Sequence, residues 1–524
     1  MFTEAAESGG ETGSPALAEA IAWGTLTNIG AKVVIYGSWF FLTPFILHRV
    51  GATQYGLWAL IGSLAAFGTL LDLGIGSAVT KRVAEFATLG DMGALRRLVS
   101  TALWLYSGLG LVALGAATIA APLVPRLFNV PPGQESTAEW LTVATGLALA
   151  VELPTSCSYS VLRGLGELPL LTLITSTSMI FTAGGIVLVL EAGGGLVGVV
   201  LVNVATSLVM QVPMIAVIHR RLPDLSVRPR HADRREVRSI MSFSASVFMI
   251  DAASKIGTRS DEIVIGSFLP VARVVPFTVA KRVAGLPQLA AAQFEVLILP
   301  AASALGARSE MHRIRELSLV STRVTLAVFL SVGCGVAVLA KPFLSAWVGP
   351  AYAGSASVVL LLTASWFIAM SIWPFSAVLQ ALSRHRPLAR FALGAAALNL
   401  ALSIALVRPL GVDGVAVGTL VATTIEVVCF IVPYTLRTLE LALGDLVRRV
   451  LLPVLAPVPP TLLVLFGLRN WIDPVSLVAV VAVASVGAMA YTAAYITVFA
   501  DASERRALRG VATRISFVAR RQAT

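Results

Sequence analysis

The sequence predicts an all-α polytopic membrane protein of about 14 transmembrane helices, with two six-helix lobes related by an internal repeat and two extra C-terminal helices. The first observation is composition: of 524 residues, 57% are hydrophobic and only 13% are charged. Soluble domains carry about twice that charged fraction. The second is that apolar runs of about 20 residues, long enough to cross about 30 Å of hydrocarbon, recur along the chain.

The distribution of basic residues is the third observation. If both termini are cytoplasmic, the cytoplasmic segments hold 27 of the 39 Lys and Arg, the outer turns 7 and the spans 5. This asymmetry is the positive-inside pattern of membrane proteins. The excess of Lys and Arg in cytoplasmic segments explains the net charge of +11, so no nucleic-acid partner is expected. The 14 spans are predicted to begin near Ile21, Tyr55, Leu98, Leu141, Pro169, Leu196, Ile240, Val271, Leu317, Val358, Leu388, Val415, Val450 and Val475.

The internal repeat rests on two pairs of similar segments. "VLRGLGELPL" at 161–170 resembles "VLQALSRHRPL" at 378–388, and "VATS" at 204–207 resembles "VATT" at 421–424, an offset of 217 residues. Transporters often contain such repeats. The predicted segments are a disordered cytoplasmic tail (1–20), the first lobe (21–220), a basic cytoplasmic linker (221–239), the second lobe (240–437), two additional helices (438–500) and a basic cytoplasmic tail (501–524).

Two adjacent cations, Lys281 and Arg282, lie near the middle of the eighth span, about ten residues from its outer end. The similar "KRVA" at Lys81 lies at the cytoplasmic end of the second span, where cations are ordinary. A charge near the bilayer centre costs about 2.5–3.5 kcal/mol and usually faces a cavity or a protein interior. Two neighbouring cations suit a phosphate or pyrophosphate group. The alternative is a structural pair, in which Glu295 approaches from further along the chain.

The seventh span carries a stripe of charges at helical spacing, formed by Asp251, Lys255, Arg259 and Glu262. The stripe is either a self-neutralising ladder of acids and bases or a surface that faces the substrate. The residues predicted to line a substrate cavity are Lys32, Lys255, Arg259, Lys281 and Arg282.

Acids within the spans are candidates for binding a coupling proton or Na⁺, or for gating. Glu152 stands two residues before Pro154, where we expect a helix break, and Glu426 is the only charge in "TTIEVV". The alternative for each is a hydrogen-bonded packing residue. The full predicted set is Asp72, Glu152, Asp251, Asp261, Glu262 and Glu426.

Motifs of catalysis are missing from the sequence: it has no Walker A loop, no HExxH and no GxSxG. We therefore expect a protein that is not an enzyme, with no catalytic residues, no metal site and no cofactor apart from a coupling proton or Na⁺.

One stretch, "VGATQYGLWALIGSLAAFGTLLDLGIGSAVTKRVAEF" at 50–86, resembles the polysaccharide-exporter branch of the MOP transporter superfamily, which includes Wzx-type flippases of lipid-linked oligosaccharides. The resemblance rests on Gly51, on the turn Tyr55–Leu60 and on the helix end Leu71–Ala78.

The second half of the chain carries a matching segment, "TRSDEIVIGSFLP" at 258–270. Asp261 matches the acid of the family, and Arg282 matches an Arg or Asn common in the next span. The sequence departs from the family pattern at Ser260, which is inserted, and at Pro270, where Gly is usual.

This resemblance implies two six-helix lobes that form a V-shaped, alternating-access cavity. It also implies a substrate, an undecaprenyl-pyrophosphate-linked oligosaccharide moved to the outer leaflet of a bacterial cytoplasmic membrane. The partners implied are this glycan and the bilayer, with a polysaccharide polymerase and glycosyltransferases as further candidates.

Three alternatives remain. An ion-coupled multidrug exporter of the same superfamily would need a cavity dominated by acids. A peptidoglycan-precursor flippase would carry a characteristic "RIPN", which this sequence lacks. A membrane-embedded glycosyl polymerase or ligase would need a large outer loop, whereas the longest predicted outer loop is only 125–140.

Overall fold

The computed structural model describes residues 15–228, 231–293 and 298–499, and within these ranges the chain is helical and contains no strand. The predicted all-α class is therefore confirmed. Among the residues that the structure describes, ten helical stretches are long and apolar enough to cross a membrane: Gly30–Asp72, Met92–Leu127, Glu135–Gly164, Leu168–Glu191, Gly195–Arg221, Met311–Trp347, Pro350–Ala381, Arg386–Leu439, Leu443–Ile472 and Leu477–Val498. The chain is a multi-pass membrane protein.

Two of these stretches each contain two helical segments joined at a glycine. Gly51 has φ 80° and Gly411 has φ 62°, values that favour glycine because it lacks a Cβ. Both glycines lie where the sequence predicts a short outer turn between two spans. The total of 14 spans stays a prediction, because ten stretches satisfy the criteria of length and hydropathy among the described residues.

The chain forms two compact units, Met1–Met249 and Ile250–Thr524. The helices that begin in the first unit are α1 Pro15–Gly68, α2 Ile75–Leu89, α3 Met92–Ala120, α4 Val124–Leu127, α5 Glu135–Gly164, α6 Leu168–Glu191, α7 Gly195–Arg221 and α8 Arg234–Phe268. Helix α8 continues into the second unit. Because α1 begins at Pro15, residues 15–20 of the predicted disordered tail are helical, while 1–14 and the predicted tail 501–524 lie outside the described residues.

Close approach of α3 and α5 builds the first unit. A Cβ at Gly110 would lie 3.0 Å from the Ala150 Cα, and one at Gly146 would lie 2.4 Å from the Ala117 Cβ. Small residues allow such close contact, which membrane helices use in place of hydrophobic association.

The predicted linker packs against this unit. Leu222 and Leu225 belong to the same buried cluster as Leu98 of α3. The Arg228 and Asp233 backbone N–H groups donate to Ser100 Oγ (3.4 Å) and Thr101 Oγ1 (3.0 Å) on α3.

The linker also forms charged contacts with α2 and α3. Glu236, in the first turn of α8, pairs with Arg82 of α2. Arg96 of α3 donates from Nε to the Asp224 carbonyl at 2.9 Å. The start of α8 is thereby attached to the first unit.

The helices of the second unit after α8 are α9 Val274–Ala284, α10 Leu286–Ala291, α11 Ile298–Ala307, α12 Met311–Trp347, α13 Ala356–Met370, α14 Trp373–Ala381, α15 Arg386–Ile425, α16 Val432–Leu439, α17 Leu443–Leu446, α18 Leu452–Leu455, α19 Val458–Ile472 and α20 Leu477–Ala494. Helix α12 lies in the core of this unit. The two additional C-terminal spans share that core, because Leu465 and Tyr491 belong to the same buried cluster as Leu326 and Val338.

Candidate functional site

The second span is interrupted at Asp72, the last residue of a short 3₁₀ turn that begins at Thr69. Leu73 and Gly74 follow with φ 49° and 75°, and α2 then starts at Ile75. A left-handed leucine is strained relative to glycine, so packing must hold this break in place.

Asp72 is tied into that break by hydrogen bonds. Its Oδ1 accepts from the Gly76 backbone N–H at 3.2 Å and from the Tyr106 hydroxyl of α3. A Cβ at Gly76 would lie 3.1 Å from Ser160 Oγ and 3.3 Å from the Tyr106 oxygen. Asp72 therefore caps the start of α2 and is closely surrounded.

A second polar cluster lies in the second unit around Asp261, which is 2% exposed. Asn399 Nδ2 donates to Asp261 Oδ1 and Thr419 Oγ1 donates to Asp261 Oδ2, each at 3.3 Å. Ser403 Oγ lies 3.4 Å from Asn399 Oδ1, and Thr419 Oγ1 lies 3.1 Å from the Val415 carbonyl oxygen. Helix α8 supplies the acid, and α15, on both sides of its Gly411 bend, supplies the neutral partners.

Glu262, the next residue of α8, faces a different helix. Its Oε1 accepts from Lys281 Nζ of α9 at 2.8 Å, and the Glu262 side chain is only 4% exposed. Lys281 also donates to the Thr258 carbonyl and lies 5.5 Å from the centre of the Phe277 ring. In the part of the chain that the structure describes, Glu262 Oε2 has no hydrogen-bond partner.

This ion pair bears on two of the predictions. The acid that meets Lys281 is Glu262 of the preceding span, whereas Glu295 lies outside the described residues. Glu262 was also the last member of the predicted charge ladder, but it turns toward α9 while Arg259 is exposed. Asp251 lies outside the residues whose side chains are described.

The other predicted cations lie on α1, α8 and α9. Arg282 is partly buried on α9, and Lys32 and Lys255 are partly buried on α1 and α8. Of the predicted set, the structure brings Asp261, Glu262 and Lys281 together in one cluster.

Two further predicted acids, Glu152 and Glu426, lie on α5 and directly after α15. Glu152 is exposed on α5, and the break expected at Pro154 does not occur, since α5 runs unbroken from Glu135 to Gly164. A proline removes one backbone donor, and a membrane helix tolerates this where neighbouring groups compensate. Glu426 is partly buried and begins a π-helical segment, Glu426–Ile431.

Sequence reasoning missed the neutral polar residues of both clusters. Asn399, Ser403 and Thr419 lie in the apolar α15, and Tyr106 lies in α3. An asparagine within hydrocarbon needs a hydrogen-bond partner, so Asn399 in "AALNLALS" was an available signal.

The cluster of the second unit carries two carboxylates and one ammonium, which gives a formal charge of −1. A monovalent cation would neutralise it, and the oxygens around Asp261 are the ligand type that hard cations prefer. No group of three His, Cys, Asp or Glu side chains that could hold a metal ion occurs among the described residues.

Comparison with known proteins gives one family and several similar structures. The model of the family described as "Polysaccharide biosynthesis protein" matches residues 50–357. The probable low-salt glycan biosynthesis flippase Agl15 of Haloferax volcanii is 23% identical over 405 residues, which covers 76% of this chain and 80% of that protein.

Two solved structures extend the comparison to the fold. The lipid II flippase MurJ, in an inward closed conformation, has a TM-score of 0.69 at 15% identity and covers 92% of this chain and 98% of its own. An inward-facing multidrug resistance MATE transporter of the MOP superfamily has a TM-score of 0.67 at 12% identity, with 79% of this chain and 98% of that chain covered. At these identities the likeness concerns the fold, and it confirms the predicted architecture class.

Proposed function

The chain belongs to the polysaccharide biosynthesis protein family, and on this premise we propose that it flips an undecaprenyl-pyrophosphate-linked oligosaccharide across the cytoplasmic membrane by alternating access. The predicted resemblance to MOP-superfamily polysaccharide exporters is confirmed. The observation that carries the proposal is the family match at 50–357, supported by a relative whose name describes a flippase of glycan biosynthesis.

The substrate's pyrophosphate requires positive charge within the membrane. Arg282 is the best candidate, since it is partly buried on α9 and its guanidinium can bind two oxygens at once. Lys281 is a weaker candidate, because an ammonium lacks the planar two-donor geometry of a guanidinium. Lys32, Lys255 and Arg259 remain proposed cavity residues.

Asp261 is the proposed site of the coupling ion. Its two oxygens accept from Asn399 Nδ2 and Thr419 Oγ1 at 3.3 Å. Further contacts join Asn399 Oδ1 to Ser403 Oγ at 3.4 Å and Thr419 Oγ1 to the Val415 carbonyl oxygen at 3.1 Å. This oxygen-rich set suits Na⁺, with a proton as the alternative. Asp72, Glu152, Asp251, Glu262 and Glu426 remain candidates for gating or coupling.

The proposed setting is the cytoplasmic membrane of a bacterium, with both termini in the cytoplasm. The positive-inside distribution supports this topology. There the protein would transport its substrate without covalent chemistry, receiving the glycan from glycosyltransferases and supplying a polysaccharide polymerase. A peptidoglycan precursor is the second candidate substrate, favoured by the similarity to MurJ over 92% of the chain.

The test is a flipping assay with the purified protein in liposomes that contain a fluorescent undecaprenyl-pyrophosphate-linked oligosaccharide. We expect the wild type to flip this lipid and Arg282→Ala to lose about tenfold or more of the rate, because two charge-assisted hydrogen bonds are removed.

Arg273→Ala is the matched control, since Arg273 is an exposed arginine at the outer end of the same span. Equal rates for the Arg282 variant and the wild type would contradict the role of Arg282. Transport of lipid II in place of the oligosaccharide would favour the second substrate.

A further inference from the structure

Adjacent acids of α8 face two different helices of the second unit. Asp261 contacts Asn399 and Thr419 of α15, and Glu262 contacts Lys281 of α9. Both acids are nine-tenths or more buried, with 2% and 3% of their surfaces exposed. Two carboxylates and one ammonium thus share one low-dielectric region.

The charges of this region act on one another. Asp261 and Glu262 are neighbours on α8, and Lys281 Nζ lies 2.8 Å from Glu262 Oε1, so both charges lie near the Asp261 carboxylate. At an effective dielectric constant near 20, a unit charge within about 8 Å changes a binding equilibrium about tenfold or more. Lys281 must therefore weaken the binding of a cation at Asp261, and Glu262 must strengthen it.

Glu262 also fixes the position of Lys281. The 2.8 Å ion pair and the bond to the Thr258 carbonyl hold the ammonium beside α8. Lys281 lies in the last turn of α9, which ends at Ala284. The lysine is thus oriented toward α8 and bonded to Glu262 and to the Thr258 carbonyl.

We propose that Lys281 balances the charge of Glu262 beside the Asp261 site, so that Na⁺ affinity stays low enough for the ion to be released in each transport cycle. This proposal rests on the coupling-ion site of the proposed function. It assigns Lys281 to the ion site, where Glu262 positions it, and leaves Arg282 as the cation for the pyrophosphate.

The test measures Na⁺ binding to the purified full-length protein in nanodiscs by calorimetry, with choline replacing Na⁺ as the control. Lys281→Met leaves a formal charge of −2, so Na⁺ affinity should rise about tenfold. Glu262→Gln leaves a charge of 0, so affinity should fall about tenfold. The double variant restores −1 and should return to within about threefold of the wild type.

Two controls complete the experiment. Lys341→Met removes an exposed lysine of α12 and should leave Na⁺ affinity unchanged. Asp261→Asn should abolish Na⁺ binding. A wild type that does not bind Na⁺, or an Asp261→Asn variant that binds it normally, would overturn the coupling site itself and the tuning proposal with it.

Other outcomes concern the ion pair alone. If the wild type binds Na⁺ and Asp261→Asn does not, but the two single variants shift affinity in the same direction or leave it unchanged, the pair serves only to hold α8 to α9. Elution as a single folded species in size exclusion is required of each variant. If one single variant unfolds, the other two variants decide. The proposal is supported if the remaining single variant shows its expected shift and the double variant binds Na⁺ like the wild type, and it is rejected if either result fails to appear.

Discussion

Asp72 in the first unit and Asp261 in the second are both acids of apolar spans, but the chain around them differs. Asp72 ends a 3₁₀ turn and accepts from the Gly76 backbone, so its carboxylate completes the fold of a helix start. Asp261 lies inside the continuous α8, whose backbone is satisfied within the helix, and the Asn399 and Thr419 side chains that donate to it at 3.3 Å are neutral. A carboxylate that the backbone does not need is available to a ligand. With the repeat offset of 217 residues, Asp261 corresponds to Pro44 of the first span, so the two acids occupy different positions of the repeat.

The sharpest test of this difference replaces each acid by its amide. Asp261→Asn should leave membrane abundance unchanged and reduce Na⁺-driven flipping at least about tenfold, because the negative charge is lost while its shape is kept. Asp72→Asn keeps an oxygen that can accept from Gly76, so Na⁺ dependence should persist. Flipping in liposomes with and without a Na⁺ gradient measures both. Loss of Na⁺ dependence in the Asp72 variant alone would assign the coupling role to Asp72 and contradict the one proposed for Asp261.

A smaller effect should distinguish the packing of the two sites. Gly76→Ala places a Cβ 3.1 Å from Ser160 Oγ and 3.3 Å from the Tyr106 oxygen, and this overpacking should cost about 1–3 kcal/mol of stability. Gly257→Ala is the matched control on α8, since the nearest atom to its Cβ would be the Ala396 Cβ at 4.0 Å. That change should be neutral or stabilising by less than about 1 kcal/mol. The fraction of each variant that stays folded in detergent on heating measures both effects. Equal stability of the two variants would show that the helix break at Asp72 tolerates extra volume.

The smallest expected effect concerns Thr419. Thr419→Val removes the hydroxyl that donates to Asp261 while keeping the side-chain shape, and Na⁺ affinity should fall about two- to tenfold. Thr424→Val on the same helix is the control, because Thr424 donates to the Leu420 carbonyl. Calorimetry should separate the two variants, whereas equal affinities would remove Thr419 from the ion site.

Most of the fold could be predicted from the apolar runs of the sequence and the turns between them. Gly51 and Gly411 lie at turns that hydropathy alone located, because each interrupts a long apolar run. The break expected at Pro154 was wrong, because a proline within a packed membrane helix costs one donor without ending the helix.

The candidate site was less predictable, for a different physical reason. The partners of Asp261 are 138 and 158 residues away in sequence, and they are neutral. A search for charges along one helix finds neither these residues nor the Lys281–Glu262 pair, which joins two helices. Predicted depth in the membrane drew attention to Lys281, but depth cannot identify a partner.

The packed linker has a consequence for building chimeras of related transporters. Composition marks 221–239 as a basic, hydrophilic connection, and a designer exchanging lobes would cut the gene there. Such a cut would remove the buried Leu222 and Leu225 from the fragment whose core they complete. It would also part Glu236 from Arg82. The exchangeable module of this chain is longer than its hydropathy profile suggests, because the first compact unit continues past the linker into α8.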